Sequence, residues 1–279
     1  MKDYLTLAKP RIAVMVMATA ALGFLLSGAE ADARIWWTVL GAGLSSGACG
    51  ALNQWLEKRV DGLMKRTSGR PLPAGRLSEN SALAFGVILA AAGLGILWFC
   101  SGRLPCAITA LTIFSYVALY TPLKQVTPHT TWIGAAAGAA PPLIGWAAGV
   151  GSLSIQAWAL FTIQFLWQIP HFLALFWLYR EDYARAGFRV MPVVDPAGGL
   201  TAAQIAVHSL TVLLASLMPI FLGMAGVRYG IGALLLSTAF LGLGLRASWT
   251  LAPTDTRRLF LASLAYLPIL FVMLLIGGV

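Results

Sequence analysis

Apolar residues run through this chain in long blocks, without the strict alternation that marks half-buried strands. A helix needs about 20 apolar residues to cross a bilayer. About nine blocks approach that length: positions 12–28, 35–54, 80–100, 104–121, 131–150, 155–178, 200–223, 229–249 and 258–277. Lipid offers no water to unpaired backbone groups, so spans without β-barrel patterning must be helices. The pattern predicts an all-α, polytopic transmembrane bundle of about nine spanning helices, a single domain over residues 1–279. Pro141, Pro142, Pro170, Pro219 and Pro268 interrupt several spans. Such breaks suit helices bent around a cavity, and ordinary membrane packing equally well.

Composition agrees with lipid as the solvent: 59% of residues are hydrophobic and 10% charged, where soluble domains carry about 25% charged residues. The net charge of +9 could suggest nucleic acid, but its distribution argues for topology instead. With the N-terminus placed in the cytoplasm, 16 of the 19 Lys and Arg fall on the inner side. Only Arg34, Arg103 and Arg228 fall outside, a strong positive-inside bias. The N-terminal run resembles a signal peptide, but eight further spans follow and a retained first helix is expected. Cys49, Cys100 and Cys106 lack metal-ligand spacing and are expected to be inert buried thiols.

The acids are unevenly placed. Apart from Asp3, Glu30, Asp32 and Asp255, all lie in two long inner connections, 55–79 and 179–199, or beside them. The two connections follow the second and sixth spans, which hints at an internal duplication. At the first, Asn53, Glu57 and Asp61 are spaced i, i+4, i+8, which puts them on one helix face. Two carboxylates one turn apart repel by a few tenths of a kcal/mol in an isolated helix. A bound Mg²⁺ would offset that, since it takes oxygen ligands from carboxylates and substrate phosphates together. Arg66 and Arg70 follow, suited to phosphate. A solvated helix end, with Lys58 and Arg59 neutralising the acids, is the plainer alternative.

In the sixth span Gln164, Gln168 and His171 share a helix face, and Asp182 joins it if the helix continues that far. Glu181 falls off that stripe. Arg180, Arg185 and Arg189 add positive charge. Trp167, Trp177, Tyr179 and Tyr183 fit an interfacial aromatic belt, and a lone His such as His171 is more often a hydrogen-bonded packing residue than a ligand. A third inner segment offers Tyr120, Lys124 and His129; Lys124 would reach a diphosphate or simply mark topology.

Together these segments resemble the UbiA superfamily of intramembrane prenyltransferases, and most closely its protoheme IX farnesyltransferase branch. Residues 53–61 match the superfamily pattern Asn-x-x-x-Asp-x-x-x-Asp, with Glu57 in place of the more usual Asp. KPRI (9–12) and RTSGRPLPAGRLS (66–78) are also typical. The stretches YTPLKQVTPHTTWIGAAAGAAPPLIGWAAG (120–149) and FLWQIPHFLALFWLYREDYARAGFRVMPVV (165–194) suggest the protoheme branch. Many superfamily members carry a second Asp-x-x-x-Asp; here Tyr179 and Tyr183 stand at those positions.

The resemblance implies farnesyl transfer from farnesyl diphosphate to a vinyl group of protoheme IX, giving heme O, in a bacterial inner membrane with the active-site loops cytoplasmic. It implies Mg²⁺ on Asn53, Glu57 and Asp61, aided by Asp182 or Glu181. Arg66, Arg70, Lys124 and Arg180 would bind the diphosphate, and His171 and Tyr120 would contact the heme. Heme-pathway or oxidase-assembly partners are further expectations. A quinone-type aromatic prenyltransferase is the nearest alternative. A transporter is less consistent, because it would place its polar groups near the midplane and these acids sit at the inner rim.

Overall fold

The computed structural model describes residues 1–277, and every regular element among them is helical. Helices α1 (Lys2–Ala8) and α2 (Pro10–Leu26) meet at a 47° bend. Lys9 at the bend is left-handed, with φ 49°, and Pro10 brings no N–H to continue α1. α3 (Ala33–Asp61) starts on Asp32, whose carboxylate accepts from the Arg34 N–H at 2.8 Å. α4 (Glu79–Ile96) starts on Ser78 and runs into a π-helical turn, Leu97–Ser101. α5 (Arg103–Phe114) passes through a second π segment, Ser115–Tyr120, into the short α6 (Thr121–Leu123). α7 (Thr130–Ala139) and α8 (Pro141–Val150) share one span, broken at Ala140.

The second half holds α9 (Ile155–Leu178), the short α10 (Arg180–Arg185) and α11 (Met191–Val194), and then α12 (Gly199–Phe221), α13 (Val227–Thr250) and α14 (Pro253–Ile276). By length and composition eight segments can span a membrane, and the bent α1–α2 pair makes a ninth. The expected all-α polytopic bundle is what the chain forms.

α9, α12, α13 and α14 enclose a continuous core in which Tyr266 is 2% exposed and its hydroxyl meets Ser216 and Ser237 at 2.7 and 2.6 Å. In the other half α2 lies against α8 backbone to backbone. A Cβ on Gly145 would fall 1.8 Å from the Ala20 oxygen, and one on Gly23 would fall 2.1 Å from the Pro142 oxygen. Small residues permit such close approach where packing must hold membrane helices together.

Two expectations change. α3 continues to Asp61, so Glu57 and Asp61 of the first inner connection belong to the end of a spanning helix, and Glu79 opens α4. The sixth span stops at Leu178, and the polar stripe does not reach Asp182 on one helix. Tyr179 (φ −114°, ψ 21°) leaves the helical region, and Arg180 turns back to donate to the Trp177 carbonyl at 3.1 Å while covering its ring. α10 then begins as a separate short helix.

Candidate active site

Asn53, Glu57 and Asp61 project from the last turns of α3, and they are 2%, 7% and 2% exposed. Buried polar and charged groups need partners, and each of these side chains has one from elsewhere in the chain. The Lys9 ammonium donates to Asn53 Oδ1 at 3.0 Å. The Lys124 ammonium donates to Glu57 Oε1 at 2.7 Å. Arg70 Nη1 reaches both Asp61 oxygens, at 2.8 and 2.6 Å. The amide of Asn53 donates in turn to Thr121 Oγ1 at 3.2 Å. Lys58 pairs with Glu79 instead, so the acids do not form a self-neutralised surface run.

The remaining charges close around this row. Arg66 donates to the Tyr183 hydroxyl at 3.3 Å and lies over the Tyr179 ring. Lys124 also sits 4.4 Å from the Tyr120 ring centroid, a cation–π contact. Burial works against the Lys124 charge, but Tyr120 and the Glu57 carboxylate outweigh it and hold its pKa above the ordinary lysine value. Burial pushes the Tyr183 phenol up, so it stays a neutral donor and acceptor.

Asn53, Glu57, Arg66, Arg70, Lys124, Phe172 and Phe176 line a cavity of about 290 Å³, and Asp61, held by Arg70, does not line it itself. A smaller pocket of about 110 Å³ lies deeper between α2, α3, α5, α7 and α8. Lys9, Ile12 and Tyr116 line both, so they form the neck between a charged chamber and an apolar one.

Not every expected residue converges here. Asp182 is bound by Arg185, Glu181 is exposed, and Arg180 is occupied at Trp177; none of the three lines the cavity. His171 faces α14, with Nδ1 2.7 Å from Ser263 Oγ and its ring between Trp167 and Phe260. Gln164 and Gln168 donate to the Gly138 and Ala135 carbonyls, at 2.8 and 3.1 Å, and tie α9 to α7. Tyr120 does line the chamber. Lys9 and Tyr116 were not singled out from sequence. Lys9 is signalled only by the KPRI run that contains it, and Tyr116 owes its position to the π segment, which has no sequence signature.

Among the described residues no three His, Cys, Asp or Glu side chains converge on a point. The donors on α3 nevertheless suit Mg²⁺, which is usually held by one or two carboxylates completed by substrate phosphates and needs no preformed cage. Hard oxygens on one wall and four basic side chains around them fit a dication arriving with an anionic headgroup.

The profile of the UbiA prenyltransferase family matches residues 14–275. A protoheme IX farnesyltransferase from Solibacter usitatus (strain Ellin6076) is 42% identical, over 99% of this chain and 98% of its own length. Among solved structures, digeranylgeranylglyceryl phosphate synthase superposes with a TM-score of 0.80 at 17% identity, covering 99% of this chain and 97% of its own. A UbiA homolog from Archaeoglobus fulgidus bound to GPP and Mg²⁺ gives a TM-score of 0.69 at 17% identity, with coverage of 98% and 99%. At that identity the likeness to the solved structures is one of fold.

Proposed function

Because this chain belongs to the UbiA prenyltransferase family, we propose that it transfers the farnesyl group of farnesyl diphosphate to a vinyl carbon of protoheme IX. The observation that carries the reading is the chamber itself. The buried oxygens of Asn53 and Glu57 and the basic groups of Lys9, Arg66, Arg70 and Lys124 line one space that joins an apolar pocket, and Asp61 stands behind Arg70 at its edge. Such a chamber fits a molecule with a doubly phosphorylated head and a hydrocarbon tail. The protoheme acceptor is supported by the relative in Solibacter usitatus, which matches over nearly its whole length.

Asn53, Glu57 and Asp61 would hold Mg²⁺ jointly with the diphosphate, and the ion supplies neutralisation of charge on the leaving group. The use of a divalent metal is supported by the homolog bound to GPP and Mg²⁺. Arg66, Arg70, Lys124 and Lys9 stabilise the same growing charge through donors already in place, which is electrostatic preorganisation. The allylic C–O bond breaks at the neck, beside Tyr116. The apolar pocket keeps bulk water from the cation. A vinyl carbon of protoheme attacks it, water adds to the resulting porphyrin-side cation, and a proton is lost. The balanced outcome is protoheme, farnesyl diphosphate and water giving the hydroxyethylfarnesyl heme and diphosphate. Phe172 and Phe176 offer the aromatic wall on the acceptor side.

The charged end of the bundle then faces the cytoplasm, where farnesyl diphosphate is water-soluble at its head, and the N-terminus lies on the same side of a bacterial inner membrane. The test is to incubate purified protein with protoheme, farnesyl diphosphate and Mg²⁺ and to measure the heme product by mass spectrometry. Farnesylated heme is expected. Prenylation of an aromatic acid, with none of protoheme, would overturn the acceptor assignment.

A further inference from the structure

The apolar pocket has a direction and an end. Along α3 its wall is made by Gly50, Ser46 and Ala42, at intervals of one helical turn from the neck inward. From the level of Asn53 to Ala42 the α3 axis advances about 16 Å, at 1.5 Å per residue. Beyond Ala42 the space closes. Thr38, one turn further, is fully buried and donates to Ser101 Oγ or accepts from it at 2.9 Å. On the opposite wall Ile144 is 3% exposed and lines the floor. Gly145 beside it admits no side chain, because α2 and α8 touch there through their backbones. That floor rests on main chain and resists being pushed outward.

An isoprene unit adds four main-chain carbons, about 5 Å when extended at ordinary C–C bond lengths. Three units therefore need about 15 Å on the same bond-length arithmetic, the depth along α3 between Asn53 and Ala42. We infer that the pocket selects the prenyl donor by length, with Ala42 and Ile144 as the floor that stops a chain of three isoprene units. The inference deepens the reading of the site given above and rests on it. Ser46, one turn nearer the neck, marks the position a two-unit chain reaches.

The experiment compares kcat/KM for geranyl, farnesyl and geranylgeranyl diphosphates, using purified full-length protein in lipid nanodiscs with protoheme and Mg²⁺. Wild-type protein should favour the farnesyl donor. Ala42→Phe should shift the farnesyl-to-geranyl ratio at least tenfold toward geranyl. Ser46→Phe should impair geranyl as well as farnesyl transfer. Ile144→Ala should act in the opposite sense and admit the geranylgeranyl chain. An unchanged ratio in Ala42→Phe and Ile144→Ala, with wild-type turnover intact, would overturn the floor assignment alone. If Ala42→Phe does not fold, Ile144→Ala decides: a shift toward the longer donor supports the floor, and an unchanged ratio overturns it. Failure of the wild-type protein with all three donors would overturn the reading of the site itself.

Discussion

Asp61 shows how closely single side chains are coupled in this site. Its carboxylate is almost wholly enclosed and is gripped by Arg70 through both oxygens. On the function proposed above, Asp61→Ala removes a carboxylate assigned to the metal, and it deprives the chamber-lining Arg70 of its partner. Turnover should fall by roughly 100-fold or more, the scale seen when one preorganised charge-stabilising group is lost. Membrane insertion, checked by fractionation and by a monodisperse elution profile in detergent, should persist. Normal turnover would refute the role given to α3. Lys9→Met should lower kcat by a similar order, since it removes a cation from the neck without emptying the apolar pocket. The α3 triplet was legible because residues on one helix face obey a fixed period. Lys9 was not, because its partner Asn53 lies 44 positions away and no local pattern encodes that pairing.

Helices bring their own consequences. The polar face of α9 reads as a candidate ligand stripe, yet its glutamines seal α9 to carbonyls of α7 beside the Ala140 break. Periodicity identified the face correctly and could not say what it faces. Gln164→Ala should therefore leave the chemistry intact and cost about 0.6–2 kcal/mol of stability, the range of interhelical hydrogen bonds in membranes. A thermal melt in detergent alongside an activity assay separates the two effects. The α2–α8 contact is less forgiving. Gly145→Val would drive carbon into the Ala20 carbonyl, and overpacking of that kind costs about 1–3 kcal/mol or more. A lower Tm, with reduced yield of folded protein, is the expected result.

For the whole molecule, hydropathy was sufficient to count the spans, since lipid imposes length and composition on each one. It could not show that the first span is bent at Lys9 or that α9 gives way to α10. The bend comes from a left-handed residue before proline, and the break between α9 and α10 from Tyr179 leaving helical dihedral angles. Orientation rests on charge bias and can be measured directly. A cysteine placed by Ser68→Cys, between α3 and α4, should resist a membrane-impermeant maleimide in intact cells. One placed by Ser152→Cys, between α8 and α9, should react. The reverse pattern would invert the bundle. The site, finally, already contains counter-ions for its two acids: Lys124 holds Glu57 and Arg70 holds Asp61, while Lys9 donates to the neutral amide of Asn53. A metal–diphosphate complex offers the same two signs of charge in the same small volume. Loading the enzyme is thus an exchange of partners for Glu57 and Asp61, and the cations it frees join Lys9 and Arg66 as surplus positive charge facing the diphosphate.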